Sequence, residues 1–277
     1  MSEHIISGVL PILALRGLAV FPDQTIHFDV GRPKSLKALE EAMKSNQTIL
    51  LIPQKSILDE DPGLDALYPI GCVCRVKQIL KANGDNLRVL VTGLCRARIQ
   101  ELQQSEPYFS GIVTSVPETE VGDTLRARAL RREANALFAN YLELSEHPAQ
   151  AVQLRMLTSD NCGFIADCIA QNSGMEFQDK MTLLLQMNPV RRLETAVKLL
   201  RQEMEMLQLE SEIQEKTKTN IDRQQKDYYL REQMRVIRDE LGDDEESEFS
   251  EYIQRICKLQ LEEASEKKLL KDVERLK

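Results

Sequence analysis

Residues 71 to 99, GCVCRVKQILKANGDNLRVLVTGLCRARI, decide how the first half of the chain folds. Cys72, Cys74 and Val76 fall on one side of an alternation and Arg75 and Lys77 on the other, which is the period of a strand. After Ile79 and Leu80, Asn83 and Gly84 suit the positive φ angles of a tight hairpin turn, and Leu87, Val89 and Val91 return on the next strand. Cys95, Ala97 and Ile99 then alternate with Arg96 and Arg98. Arg75, Lys77, Arg88, Arg96 and Arg98 therefore read as a solvated basic face. No aromatic side chains are interleaved among them to stack bases.

The same period extends outward from Leu10 to Val116. Ile26, Phe28 and Val30 alternate with Thr25, His27 and Asp29. The apolar run ending at Ile52 before Pro53 predicts a strand, Thr48 to Ile52, buried on both faces, and Phe109 to Val116 a last strand. One helix interrupts the set, with Pro33 near its start and Leu36, Leu39 and Met43 at helical spacing. The sum is about six strands and one helix.

Beyond Pro117 the period changes. Leu130, Ala134, Leu137, Tyr141 and Leu144 predict an amphipathic helix over Asp123 to Glu146, stopping before Pro148. Shorter helical patterns follow around Ala151 to Leu157, Phe164 to Gln171 and Phe177 to Met187. Asn188-Pro189 is a helix start, a capping side chain followed by a proline whose missing N–H costs nothing there. No Gly or Pro then occurs until Gly242, and Leu193, Val197, Leu200, Met204 and Leu207 form a heptad-like stripe. A helix over Pro189 to Leu241 measures about 80 Å at 1.5 Å per residue, against roughly 40 Å for the preceding globule, so its outer half is expected to project. The stripe fades over Gln214 to Gln225 and resumes in another phase with Leu230, Met234, Ile237 and Leu241. Asp239 to Glu251 holds eight acids and no base, which reads as a solvated hinge. A further helical pattern from Ile253 to Leu276 runs to Lys277 with no capping Gly or Pro, as in a fragment of a longer protein.

The composition narrows the function. The 277 residues carry 36 Lys and Arg against 44 Asp and Glu, a net charge of −8, which argues against nucleic acid as the main partner. Mean hydropathy is −0.34, no apolar run spans a bilayer, and no basic start of a secretory signal precedes Val9. A cytoplasmic protein with no membrane partner is expected. The six cysteines include no CxxC pair, and Cys72 and Cys74 read as small core residues rather than a redox or metal pair. No Gly is followed by Lys, so no phosphate-binding loop for nucleotide hydrolysis is encoded; there is no HExxH and no GxSxG. His4, His27 and His147 lie far apart, and His27 reads as an exposed strand position. Tyr228, Tyr229 and Leu230 are large apolar side chains on the outer half of the long helix, costly to expose unless a partner or another part of the chain covers them.

Several blocks carry a resemblance. Leu10-Pro-Ile-Leu-Ala-Leu-Arg16, Val20-Phe21-Pro22, Val30-Gly31-Arg32 with Ser35, Tyr68-Pro-Ile-Gly71, Val91-Thr-Gly93 with Arg96 and Arg98, and Tyr228-Tyr-Leu-Arg-Glu-Gln233 leading to Glu240-Leu-Gly242 closely resemble, in order and spacing, the start of the Lon family of ATP-dependent proteases. Asn188-Pro189 departs from the family pattern. The resemblance implies an α+β architecture in four parts: a β-rich, PUA-like barrel for substrate recognition at 1–117, a helical subdomain at 118–187, a long helix of coiled-coil character at 188–242, and an acidic hinge with the start of a link to an ATPase module at 243–277. It implies unfolded or damaged proteins and further copies of the chain, as a homohexamer, as partners. ATP, magnesium and a Ser-Lys dyad would belong to the parent protein beyond Lys277, with no cofactor, metal or catalytic residue in this region. Phe21, Tyr228, Tyr229, Leu230, Met234 and Ile237 are the expected contacts to substrate or to other subunits. The rival expectation is a stand-alone protein-interaction or nucleic-acid-binding module with a similar β domain.

Overall fold

The computed structural model describes residues 7–81, 86–145, 150–241, 245–259 and 263–276. The expected Asn83-Gly84 turn, His4 and His147 lie outside these residues. The chain divides into two units, Met1–Leu209 and Glu210–Lys277.

The first unit opens with strands β1 (Ser7–Leu15) and β2 (Thr25–Val30), helix α1 (Pro33–Lys44), and strands β3 (Thr48–Pro53), β4 (Gly71–Lys81), β5 (Leu87–Gln104) and β6 (Phe109–Ser115). The six strands run in the order β2-β5-β4-β3-β1-β6, and β5 also pairs with β6, so five of them close into a ring with β2 outside on β5. Closure removes the unpaired edges that an open sheet would present. β1 and β3 are parallel and the other pairs antiparallel. β3 is buried on both faces as its apolar run requires. Ile49 and Leu51 join a core beneath α1 that also holds Leu39, Cys72, Cys74 and Val89, while Leu50 and Ile52 join a second core with Ile12, Val73 and Val113.

Strict alternation fails at three places in β5, at Leu94 against β4 and at Gln100 and Gln103 against β6, and the first of these decides where Arg96 goes. Val73 faces Cys95 but Cys74 faces Gly93, so Leu94 is an extra residue that shifts the register. Arg96, expected on a solvated face, is turned inward and only 2% exposed. Arg88 is exposed but paired with Asp29 at 2.7 Å, and Arg75, Lys77 and Arg98 remain in solvent. Gly93 is required here by close approach: a Cβ would lie 2.1 Å from the carbonyl oxygen of Phe21.

Helices α2 (Leu125–Leu144), α3 (Gln150–Leu157), α4 (Cys162–Asn172), α5 (Phe177–Leu185) and the beginning of α6 (Pro189–Leu241) form the helical part of the first unit. α2 starts two residues later than expected because Thr124 is the cap, accepting from the Ala127 N–H at 3.1 Å. Asp123 instead pairs with Arg128 and Arg131. The predicted cap of α6 is present: Asn188 Oδ1 accepts from the N–H groups of Val190 and Arg191 at 3.1 and 3.0 Å. Leu193, Val197 and Leu200 of the heptad-like stripe are buried in a core with Phe138, Tyr141, Ile165 and Leu184. The first turns of that stripe are thus satisfied within the chain.

The second unit comprises residues 210–241 of α6 together with α7 (Glu245–Lys258) and α8 (Glu263–Leu276). The acidic stretch expected as a hinge is helical on both sides of residues 242–244, which lie outside the described residues. The helical pattern read as one element after Ile253 is two helices packed on each other, with Ile256 buried. Among the described residues no helix is long and apolar enough to cross a membrane.

Candidate functional site

The loop between β3 and β4 is built around one buried amide. Pro53 closes β3, and the next residue, Gln54, is fully enclosed. Its Nε2 donates to the carbonyl oxygens of Ser56 and Asp59, and its Oε1 accepts from Arg32 Nη1 at 3.1 Å. Arg32 also donates to the carbonyls of Ala14 and Glu60, and Arg16 to that of Asp59 at 3.3 Å. A buried amide has to be satisfied. Here satisfying it curls residues 54–60 into a braced turn that leaves Leu58 91% exposed, with Ile57 and Leu64 also exposed. The apolar side chains are held out by polar bonds to the backbone behind them, where no side-chain packing could retain them. Nothing in the residue pattern distinguishes this Ile-Leu pair from any short apolar step in a loop, and the expected contacts did not include it.

Of the six expected contacts, five are exposed. Tyr228, Tyr229, Leu230, Met234 and Ile237 all lie on the solvent surface of α6, where Gln233 Nε2 donates to Tyr229 Oη at 3.0 Å. Phe21 has no exposed surface and belongs to the helical core. It is a packing residue because the segment between β1 and β2 turns it under the helices, where the Arg96 guanidinium stands 5.9 Å from its ring.

That guanidinium belongs to a buried charge cluster joining sheet to helices. Arg96 makes a two-pronged bond to Asp167 of α4 at 2.8 and 2.7 Å and donates Nε to the Leu184 carbonyl at the end of α5. Arg192 of α6, also fully buried, donates to Glu118 and to the Gln186 carbonyl, with Nε 3.2 Å from Asp167. Burial opposes the Arg96 charge, but Asp167 and Glu118 more than offset it and hold this guanidinium above its ordinary value. Two cations and two carboxylates alternate, so the cluster is compensated and acts as a lock. Gly163 is packed against it: a Cβ there would meet Arg192 and Glu118 within 3 Å.

Most of the cysteines are withdrawn from solvent. Cys72 and Cys74 are core residues. Burial pushes the Cys74 thiol well above its ordinary value, Cys95 up to about 12 and Cys168 to about 11. Of the six cysteines, all but the exposed Cys257 are buried or half-buried. A thiol reagent at pH 8 is therefore expected to modify Cys257 rapidly and the other five only after denaturation, because the thiolate is the reactive form. Mass spectrometry of the native and unfolded chain checks this. Among the described residues no group of three His, Cys, Asp or Glu is placed to hold a metal.

Residues 9–202 match the model of the substrate-binding domain of ATP-dependent protease La (LON). The chain belongs to the Lon protease family. It is 36% identical over 270 residues to the Lon protease of Clostridium acetobutylicum, covering 97% of this chain and 35% of that protein. With the Lon protease of Brevibacillus choshinensis the identity is 39% over 278 residues, covering 100% of this chain and 36% of the other. The chain thus spans about a third of the length of these curated Lon relatives. A solved N-terminal domain of the Mycobacterium avium complex Lon protease shares the fold, with a TM-score of 0.59 at 20% identity, covering 70% of this chain and 98% of that one. The Lon substrate-binding match takes in the braced loop, the charge cluster and the first turns of α6. Tyr228 to Ile237 lie beyond it.

Proposed function

We propose that this chain recognises and holds unfolded or damaged proteins for a Lon-type ATP-dependent serine protease, of which it is the amino-terminal region. The observation that carries the reading is the match of residues 9–202 to the Lon substrate-binding domain. The sequence resemblance along nearly the whole chain to much longer proteases favours this over a stand-alone interaction module. The exposed Ile57, Leu58 and Leu64 of the braced loop and the exposed aromatic and aliphatic residues of α6 support an apolar mode of capture, since such side chains gain most when a partner covers them.

In this reading residues 1–117 and 118–187 form the recognition body, 188–242 the helix that transmits to the rest of the enzyme, and 243–277 the start of that link. The region hydrolyses neither ATP nor peptide bonds by itself; ATP and magnesium serve the parent protein. The parent works as a cytoplasmic homohexamer, with Tyr228, Tyr229, Leu230, Met234 and Ile237 meeting substrate or neighbouring subunits.

The test is titration of the 277-residue chain against reduced, carboxymethylated lactalbumin, followed by fluorescence anisotropy. Leu58→Ser with Ile57→Ser is expected to weaken capture by about a hundredfold or more without lowering Tm, since each covered side chain contributes about 1.5–3 kcal/mol and about 1.4 kcal/mol is tenfold. Raising salt to about 0.5 M is expected to leave capture in place, weakened by no more than about tenfold, because screening weakens charge pairs and not apolar burial. Capture that vanishes with salt, or no capture at all, overturns the reading. In the full-length enzyme, Tyr229→Ala with Met234→Ala is expected to slow protein degradation or shift the oligomer distribution while short-peptide cleavage persists; unchanged assembly and degradation would leave α6 a spacer.

A further inference from the structure

A second face of the Arg32 region is not accounted for by the brace. Arg32 precedes α1 at the capping position but supplies no side-chain cap, and Pro33 follows at the first helical position without an N–H. The N–H groups of Lys34 and Ser35 in this first turn therefore face outward with no capping acceptor, at the positive end of the helix. Ser35 itself is only 7% exposed. Among the described residues its hydroxyl has no hydrogen-bond partner, and it is not among the polar atoms sealed from solvent. It borders two adjoining cavities of about 610 and 360 Å³ that also share Ala14, Arg16, Gly31 and Arg32.

The charge around this point favours a single anion. The larger cavity is lined by Arg16, Arg32, Lys34 and Lys37 against Glu60, Asp61 and Glu106, four bases to three carboxylates. Lys34 is occupied by Asp61 and Glu106, at 2.8 and 2.9 Å. Among the described residues Arg16, Arg32 and Lys37 have no carboxylate partner, and Arg32 spends its bonds on carbonyl and amide oxygens. Burial, and then the charge of Arg16, pull the Arg32 guanidinium below its ordinary value. An excess of one positive charge suits a monoanion better than a phosphate dianion. Ile12, Pro62, Pro107 and Phe109 form an apolar wall beside it.

We propose that the cleft at the start of α1 is an oxyanion site that takes a carboxylate of a bound polypeptide, its oxygens held by the Ser35 hydroxyl, the first-turn N–H groups and Arg16, with the neighbouring apolar side chain of the polypeptide against Phe109. The proposal rests on the reading of the chain as a polypeptide-binding region and adds a charge preference to it. The carboxylate is either a free C-terminus or an acidic side chain; the recognition chemistry is the same.

The experiment uses fluorescein-labelled decapeptides of Ala, Leu and Ser titrated into the 277-residue chain: one amidated and neutral, one with a free C-terminal carboxylate, and one amidated with a single internal Glu. At least one acidic peptide is expected to bind about tenfold tighter than the neutral one, the scale of a charge-assisted bond, and which of them does so identifies the source. Arg16→Gln with Lys37→Gln, both exposed positions, is expected to bring the preferred peptide to within about twofold of the neutral one. Ser35→Ala is expected to reduce the preference several-fold at unchanged Tm. The neutral peptide binds the parent and the Ser35→Ala variant alike, and for the Arg16 variant the preference is read as the ratio of acidic to neutral peptide within that variant. Equal affinity for the three peptides, or a preference that survives both variants, overturns the carboxylate site and leaves the capture reading in place. Displacement by inorganic phosphate at lower concentration than by acetate overturns the monoanion assignment. Binding of none of the peptides removes both.

Discussion

Asp167→Ala is expected to lower the unfolding free energy of the chain by about 3–5 kcal/mol, the cost of leaving a buried cation without its partner. Asp167 is 3% exposed and holds both prongs of Arg96, with Arg192 at its other side. Removing the carboxylate leaves two buried guanidiniums facing Glu118 alone, one of them 3.6 Å from it. Asp167→Asn should keep the shape and still lose much of this stability, since an amide accepts on only one side and carries no charge. The paired change Arg96→Met with Asp167→Leu should be less damaging than Asp167→Ala, because the desolvation penalty of both ions disappears with them. Urea unfolding followed by circular dichroism measures all three. A loss below about 1 kcal/mol for Asp167→Ala would mean that water reaches the pair and that the lock between sheet and helices lies elsewhere.

Phe21→Ala is expected to cost about 3–5 kcal/mol, the range for truncating a buried aromatic side chain. A substrate-contact role predicts the opposite signature: normal stability and weaker capture. Thermal and urea unfolding beside lactalbumin binding separates the two. Phe21 lies within 5.9 Å of the Arg96 guanidinium, so its effect and that of Asp167→Ala should not add, with a coupling of about 0.5–3 kcal/mol in the double variant. Independent additive losses would show that the ring packs against the helices alone.

These two residues mark where a reading of the chain stops and the tertiary structure begins. The alternations of Thr25 to Val30 and Cys72 to Val76, the two-sided burial of Thr48 to Ile52, the cap at Asn188 and the helical stripes are local patterns, set by the period of the backbone and by which side chains water rejects. They were legible, as were the α+β class, the break between sheet and helices, and the family motifs. A pattern of period two assumes an unbroken ladder. The extra residue at Leu94 shifts the ladder, and Arg96 passes from the expected surface into the core, where its partner Asp167 stands 71 residues away in sequence. The parallel pairing of β1 with β3, the brace that Arg32 and Gln54 build under Leu58, and the burial of Phe21 and Ser35 likewise depend on segments brought together from afar. Although the residue pattern left open whether a partner or another part of the chain covers them, among the candidate contacts the large apolar side chains on the outer half of α6 were legible. The loop and the cleft were not, since their exposure and their polarity arise only when β1, α1 and the turn after β3 meet. The amino-acid sequence by itself determined the elements, their buried faces and the family. Which charged and aromatic side chains lock the fold, and which are left to meet a partner, was decided by closure of the sheet and its packing against the helices, because burial and pairing are properties of neighbours in space.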